Sequence, residues 1–232
     1  FGLGDERGRA RTCRADDSGG AKRTYDQPSK GVLWGWEVSA YIWTKAICAG
    51  TYVVAVLAML AGMVPETDGL WIQTLGVGLS FLAITGLLLI IDLDRPERFL
   101  YVVLRPNWDS WLVRGAYILA GYGGVLAAST MVILLDMDRS ILAYLAIAGI
   151  PLAILTGVYT AWLLRQAKGR SWSEDSLLPA KFLLETVIAG TAVFFPMATM
   201  EPLHIAVGML ILVGVLVHDK HLVLKPQMEP LL

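Results

Sequence analysis

Charged side chains stand at three places where the surrounding sequence is otherwise apolar. Lys45 and Glu185 each lie inside a long apolar stretch, and the segment IIDLDRPERF, from Ile90 to Phe99, places five charged residues directly after a run of Leu, Ile and Gly. Ionisable groups inside a membrane-spanning helix are costly and commonly mark proton, ion or ligand chemistry. These positions are therefore the first candidates for a functional site.

Lys45 is the clearest of these candidates. At 1.5 Å per residue it lies roughly 16 Å along the helix from Trp34, too far for its ammonium to reach the membrane surface easily. Tyr41, Lys45, Cys48 and Tyr52 follow the spacing of one helix face. The lysine either meets a buried carboxylate that only fixes helix packing, or takes part in chemistry, and the spacing alone leaves both interpretations open.

Three glutamates in or next to the apolar stretches raise the same question of a structural or a functional role. Glu185 lies four residues after Lys181, so it forms either a Lys–Glu helix pair near the membrane interface or a functional group. Glu37 and Glu201 lie at helix starts, where a carboxylate suits the positive end of the helix dipole. We interpret both as structural.

The segment IIDLDRPERF divides into two parts. Asp94 suits the N-cap of a short helix, Glu97 completes a capping box three residues later, and Pro96 is tolerated in the first turn. Asp92, one residue beyond the last Ile, has no such structural role. The two arginines of the segment suit either membrane anchoring or contact with an acidic partner or a lipid phosphate.

The composition is that of an integral membrane protein. Of the 232 residues, 56% are hydrophobic and 17% are charged. Six segments have the roughly 20 residues needed to cross the hydrocarbon core of a bilayer. They lie at about residues 38–63, 70–91, 111–135, 141–164, 177–200 and 203–224.

The expected fold is therefore an all-α, six-helix transmembrane bundle with a short interfacial helix between the second and third spans. Residues 1–30 are rich in Gly, Arg, Asp and Ser, which is typical of an extended or disordered arm. The transmembrane domain covers residues 31–225, and residues 226–232 form a C-terminal tail.

Positive charge falls almost entirely on one side of the predicted bundle. Of the 19 Lys and Arg residues, all but Lys45 and Arg139 lie on or next to the face that receives both termini, the 92–110 connection and the 165–176 loop. The positive-inside rule places this face in the cytoplasm. The net charge of −1 itself says nothing about partners, and nothing in the sequence points to nucleic acid.

Histidine and cysteine limit the redox groups that this protein can hold. Membrane subunits with b-type haem use axial His pairs from different helices, whereas His204, His218 and His221 all lie in the last span. The two cysteines form no CxxC motif, so we expect neither haem nor a metal centre in this protein. His218 and His221, with Asp219 between them, suggest a solvated helix end.

Four stretches together resemble a known family. They are WGWEVSAYIWTKAICAG, DLDRPERFLYVVLRPNWDSWLVRGAYIL, GVYTAWLL and LLPAKFLLETVIAG. Over about residues 32–192 they are similar to the NrfD-like polysulfide reductase membrane subunits. The most specific block is Asp-Leu-Asp-Arg-Pro-Glu-Arg-Phe followed by Arg-Pro-x-x-x-Ser-Trp.

The resemblance implies a quinone-interacting membrane anchor of a multi-subunit respiratory oxidoreductase in a prokaryotic inner membrane. It implies that the first four helices bind menaquinone or ubiquinone and that the subunit has no redox centre and no activity in isolation. Its expected partners are membrane lipid, a ferredoxin-like iron–sulfur subunit with four clusters, and a molybdopterin or other catalytic subunit. A proton- or ion-translocating subunit, or a purely structural one without a quinone site, is the alternative.

The resemblance also suggests site residues. Tyr41 stands where the family has a quinone-contacting His, and Tyr159, ahead of Trp172, matches a quinone-contacting Tyr. Lys45 would add a third hydrogen-bond donor, and Asp92 would link the quinone to solvent, so that Lys45 and Asp92 would handle protons. Tyrosine is a far weaker base than histidine near neutral pH, so the contact at Tyr41 differs in chemistry.

Further residues are expected at the partner or lipid interface, on the same face as the predicted interfacial helix. They are Arg95, Arg98, Arg105 and Trp108.

Overall fold

A computed structural model describes residues 34–91, 106–166 and 171–228. Within these ranges the chain forms seven helices and no strands. They are α1 (Trp36–Leu60), α2 (Asp68–Ile91), α3 (Trp111–Leu134), α4 (Arg139–Arg165), α5 (Ser171–Glu174), α6 (Leu178–Thr199) and α7 (Pro202–Met228). All except α5 are long and apolar enough to cross a membrane. The predicted all-α membrane bundle with six spans is confirmed.

Several predicted features lie outside the described residues. These are the N-terminal arm, the proposed capping box of Asp94 and Glu97, most of the predicted interfacial helix, and the site candidates Asp92, Arg95, Arg98 and Arg105. The last helix continues to Met228, past residue 224, because its end packs against the start of α1.

Helix α1 is the centre of the bundle. It packs against α2, α4, α6 and α7, whereas α3 contacts α2 and α4. The helices α1, α2, α3 and α4 thus form a ring of four, and α6 and α7 lie against the remaining side of α1. The small residues Ala46, Ala49 and Ala55 are buried along α1 and let its neighbours approach closely.

The closest approach in the bundle is between α1 and α6. A Cβ atom added at Gly190 would overlap the backbone of Gly50, and one added at Gly50 would overlap the backbone carbonyl of Thr186. Because backbone atoms cannot rotate away, both positions require glycine. This contact holds α6 against the lysine-bearing helix.

One end of the bundle is closed by aromatic and amide side chains. The backbone N–H of Trp34 donates to Gln227 Oε1 at 2.9 Å, and Gln227 Nε2 donates back to the Trp34 carbonyl at 2.9 Å. Trp172 Nε1 donates to the Leu222 carbonyl at 3.0 Å, and its ring lies 5.3 Å from that of Trp34. The start of α1, helix α5 and the end of α7 therefore meet at one face, where tryptophan suits a membrane interface.

The opposite end is held by short polar contacts. Arg139 forms an exposed ion pair with Asp68, which joins α4 to α2. Asp138 is the N-cap of α4, and its carboxylate accepts the Ser140 N–H at 2.9 Å. That hydrogen bond holds the pKa of Asp138 below its ordinary value.

We expect Gly190→Ala to destabilise the protein by about 1–3 kcal/mol, toward the upper end because the overlap is with backbone. Thermal unfolding of the purified protein in detergent measures the effect. Gly76→Ala is the control, because a Cβ there meets no heavy atom within 4 Å. Equal melting temperatures for the two variants would contradict the close α1–α6 contact.

Candidate functional site

Lys45 is fully buried in the middle of the bundle, with 0% of its surface exposed. Its ammonium donates a hydrogen bond to the Thr160 hydroxyl on α4. Three aromatic rings surround it, with centroids 4.6 Å (Tyr159), 5.5 Å (Phe182) and 5.9 Å (Tyr41) from Nζ. Cation–π attraction and one hydrogen bond replace part of the water that the ammonium has lost.

The opposite charge comes from the two helices beyond the four-helix ring. Glu185 on α6 and Asp219 on α7 both interact electrostatically with Lys45. Glu185 is 7% exposed and Asp219 is 0% exposed. Among the described residues no carboxylate oxygen lies within 4.0 Å of Lys45 Nζ, so neither carboxyl group forms a direct ion pair with the lysine, and the attraction acts through an apolar interior of low dielectric constant. We call Lys45, Glu185 and Asp219 the buried cluster.

The two carboxyl groups also interact with each other. Within the described part of the chain, both oxygens of Asp219 and Oε1 of Glu185 lack a hydrogen-bond donor. A hydrogen bond between two carboxyl groups requires a proton on one of them. One ammonium, one carboxylate and one neutral carboxylic acid would leave the cluster without net charge, which is the least costly state in an apolar interior.

The structure corrects the interpretation of Asp219 as part of a solvated helix end. Val215, Asp219 and Val223 are spaced four residues apart and are all buried, so they share the face of α7 that packs into the bundle. The neighbouring His218 and His221 lie on the exposed face. This four-residue spacing was the signal in the sequence that could have identified Asp219.

The structure also bears on one of the two interpretations of Glu185, the helix pair with Lys181. Lys181 points away from it and forms an ion pair with Asp175, with Nζ 2.6 Å from Oδ2. That contact holds the pKa of Asp175 below its ordinary value. The Lys–Glu helix pair, one of the two interpretations of Glu185, is therefore not formed, and the functional role of Glu185 stays a prediction.

Two of the predicted site residues come together with Lys45. Tyr41 is 2% exposed and Tyr159 is 1% exposed. The ring of Tyr159 packs inside the four-helix ring against Leu89 and Leu119, and directly on Gly115, where a Cβ would overlap it. Lys45 belongs to α1, one of the four ring helices. Its ammonium is therefore close both to Tyr159 of the ring helix α4 and to Phe182 of α6, outside the ring.

Trp108 lies apart from this site. It is 54% exposed just before α3, its ring centroid is 4.9 Å from that of Tyr117, and its carbonyl accepts from Arg114 Nε at 2.6 Å. The roles of Asp92, Arg95, Arg98 and Arg105 stay predictions, because these residues are outside the described ranges.

A groove of about 510 Å³ runs along α1 between α2 and α7. Its wall is mainly apolar, and it includes Thr44, which precedes Lys45, and Lys220, which follows Asp219. Thr44 is held by a hydroxyl contact of 2.8 Å with Thr85 on α2. The lining residues are Trp36, Ser39, Ala40, Trp43, Thr44, Ile84, Leu88, Leu216, Val217 and Lys220. Its size and apolar wall suit a lipid-soluble ring compound.

The described residues contain no group of three His, Cys, Asp or Glu side chains arranged to hold a metal ion. Cys48 is buried as a free thiol and donates to the Gly78 carbonyl at 3.1 Å.

Comparison with known proteins gives a consistent match. The family model for polysulphide reductase, NrfD, matches residues 25–201. The sequence is 27% identical over 187 residues to Protein NrfD of Escherichia coli K12, covering 70% of this protein and 58% of that one. It is 25% identical over 179 residues to the C subunit of polysulfide reductase from Wolinella succinogenes, covering 68% of this protein and 56% of that one.

The chain thus spans rather more than half the length of the curated relatives that it matches. No solved structure matches it significantly.

We expect Lys45→Met to destabilise the protein by about 3–5 kcal/mol, because it leaves two buried carboxyl groups without their cation. Asp219→Asn should lower the free energy of unfolding by a smaller amount, since the charges of Lys45 and Glu185 still balance each other. Thermal unfolding in detergent measures both variants.

Lys181→Met is the control for loss of a lysine, because its ion pair is exposed and worth about 0–1 kcal/mol. If Lys45→Met were as stable as Lys181→Met, the buried cluster would not be a structural requirement.

Proposed function

The chain belongs to the NrfD polysulphide reductase family, and from this premise we propose that it is the quinone-interacting membrane subunit of a multi-subunit oxidoreductase. It would exchange electrons between an iron–sulfur partner subunit and membrane quinone or quinol. The observation that supports this most is the buried Lys45, with the phenol-bearing rings of Tyr41 and Tyr159 within 5.9 Å of its ammonium.

This arrangement suits quinone chemistry. Reduction of a quinone takes up two electrons and two protons, and each carbonyl oxygen needs a hydrogen-bond donor as negative charge develops on it. Phenols and an ammonium group are such donors, and they lie in an apolar bundle where an electrostatic interaction is strong. Tyr41 and Tyr159 would bind and orient the quinone, Lys45 would donate to it, and Asp92 would connect it to water.

The groove along α1 supports access from the lipid. A quinone carries a long apolar tail, and the groove offers an apolar wall with Thr44 and Lys220 beside the helix turns that carry Lys45 and Asp219. The head group would move from this groove toward Lys45 by displacement of side chains on α1 and α2. The tail would stay in the groove.

Electrons would arrive at the face that carries the start of α1 and the end of α7. An iron–sulfur subunit would dock there on Arg95, Arg98, Arg105 and the exposed Trp108. A molybdopterin or other catalytic subunit would lie beyond it. The excess of positive charge on this face would place it in the cytoplasm of a prokaryotic cell.

A proton- or ion-translocating subunit is the second candidate, because a buried cluster of three ionisable groups also suits proton movement. The two candidates differ in one property. Only the first requires that a quinone analogue bind to this subunit in the purified complex.

We expect Tyr41→Phe and Tyr159→Phe to slow quinone turnover by about tenfold or more, because each removes one hydrogen-bond donor while keeping the ring that packs the bundle. Turnover with quinone and turnover with an artificial dye at the partner subunit are measured on the same preparation. The dye reaction should be unchanged.

Tyr144→Phe is the matched control, since Tyr144 is 74% exposed on the outer surface of α4. Normal quinone turnover in both the Tyr41 and the Tyr159 variants would exclude the two phenols from the quinone site.

A further inference from the structure

The buried cluster contains one more acidic group than Lys45 can balance. Asp219 is fully buried, both of its oxygens lack a hydrogen-bond donor among the described residues, and it interacts with Glu185 and Lys45. A structural ion pair needs only one carboxylate, so the second acidic group needs a separate explanation.

We propose that Glu185 and Asp219 share one exchangeable proton, which Lys45 passes to quinone and recovers from quinol. The transfer step depends on the proposed quinone-interacting function, whereas the shared proton does not. The sequence alone marks Glu185 as a functional candidate but not Asp219, because only the packing of α6 and α7 brings the two carboxyl groups together.

The position of Lys45 makes it the connecting group. Its ammonium interacts with the two carboxyl groups on α6 and α7 and lies 4.6 Å from the ring centroid of Tyr159 on α4. The Thr160 hydroxyl accepts its hydrogen bond and holds the side chain in place. A proton can therefore pass from the carboxyl pair to the phenol side through this ammonium.

The proton balance can be written for quinone reduction. Two electrons reach the quinone from one-electron carriers of the partner subunit. One N–H bond of Lys45 breaks and one O–H bond forms on the quinone; the neutral amine then takes the proton shared by Glu185 and Asp219. The second proton comes from water through another route, and quinol oxidation reverses each step.

After Lys45 has taken the shared proton, uptake of a new proton by the buried cluster is favourable. Two carboxylates facing a single ammonium leave one uncompensated negative charge in an apolar interior, which is strongly unfavourable. The replacement proton would come from the face closed by Trp34 and Gln227, because Asp219 is eight residues from Gln227, or about 12 Å along α7. His218, one residue before Asp219 and on the exposed face of α7, interacts with Glu185 and is the candidate relay for that proton.

The titratable groups that face the shared proton come from every helix packed around it. They are Tyr41 and Lys45 on α1, Tyr159 on α4, Glu185 on α6, and His218 and Asp219 on α7. Of these groups only Glu185 and Asp219 are carboxyl groups, so a carboxylic acid signal that disappears on their substitution belongs to this pair.

Infrared spectroscopy of the purified complex in lipid vesicles tests the shared proton without quinone. The C=O stretch of a buried, protonated carboxylic acid is distinct from that of a carboxylate and shifts on exchange into D₂O. We expect wild type to show such a band at pH 7 and Asp219→Asn and Glu185→Gln each to lose it. Both substitutions are nearly isosteric and leave one carboxylate for Lys45, so the fold should persist.

Glu201→Gln is the matched control, because Glu201 is exposed and lies outside the buried cluster. It should leave the band unchanged. A wild-type complex without the band, or a band that persists in both cluster variants, overturns the proposal. If neither variant folds, the presence or absence of the band in wild type decides.

Quinone turnover tests the transfer step separately. We expect Asp219→Asn to slow it by about tenfold or more while binding of a quinone analogue and the dye reaction stay normal. Unchanged turnover in a variant that has lost the band overturns transfer through Lys45. If wild type binds no quinone analogue but shows the band, the proposed function and the transfer step fail and the shared proton stands.

Discussion

The organisation of this bundle depends on the burial of one ammonium group. Lys45 lies on the central helix, and it cannot reach water. Its charge must be balanced within the protein, because an isolated charge in an apolar interior is unstable. The Thr160 hydroxyl, three aromatic rings and two carboxyl groups supply that balance from α1 itself and from α4, α6 and α7.

This requirement explains the arrangement of the helices. The close contact of Gly50 with Gly190 holds α6 against α1, which brings Glu185 toward the lysine. The hydrogen bonds between Trp34 and Gln227 fix the end of α7 against the start of α1, and they set the register that buries Asp219. Helices α1 and α7 also line the apolar groove, so two of the helices that carry the buried cluster form part of this apolar surface.

The sequence was sufficient to predict the six spans, because apolar runs of membrane-spanning length are strong and local signals. It also identified Lys45, since a charge inside such a run is conspicuous, and its spacing from Tyr41 placed both in the interior. Asp219 could not be recognised as easily, because its histidine and lysine neighbours suggest a solvated segment. Tertiary packing, not helix spacing, decides which carboxylate pairs with which lysine. Lys181 is four residues from Glu185, yet it forms its ion pair with Asp175, and Glu185 interacts with Lys45 instead.

An electron cryo-microscopy map of the complex with a bound quinone analogue would test the proposed function most directly. We expect density for the head group within hydrogen-bonding distance of Lys45 and at least one of Tyr41 and Tyr159, with the tail in the groove along α1. Density for the head group at a site that none of these three side chains contacts would contradict the proposed quinone site.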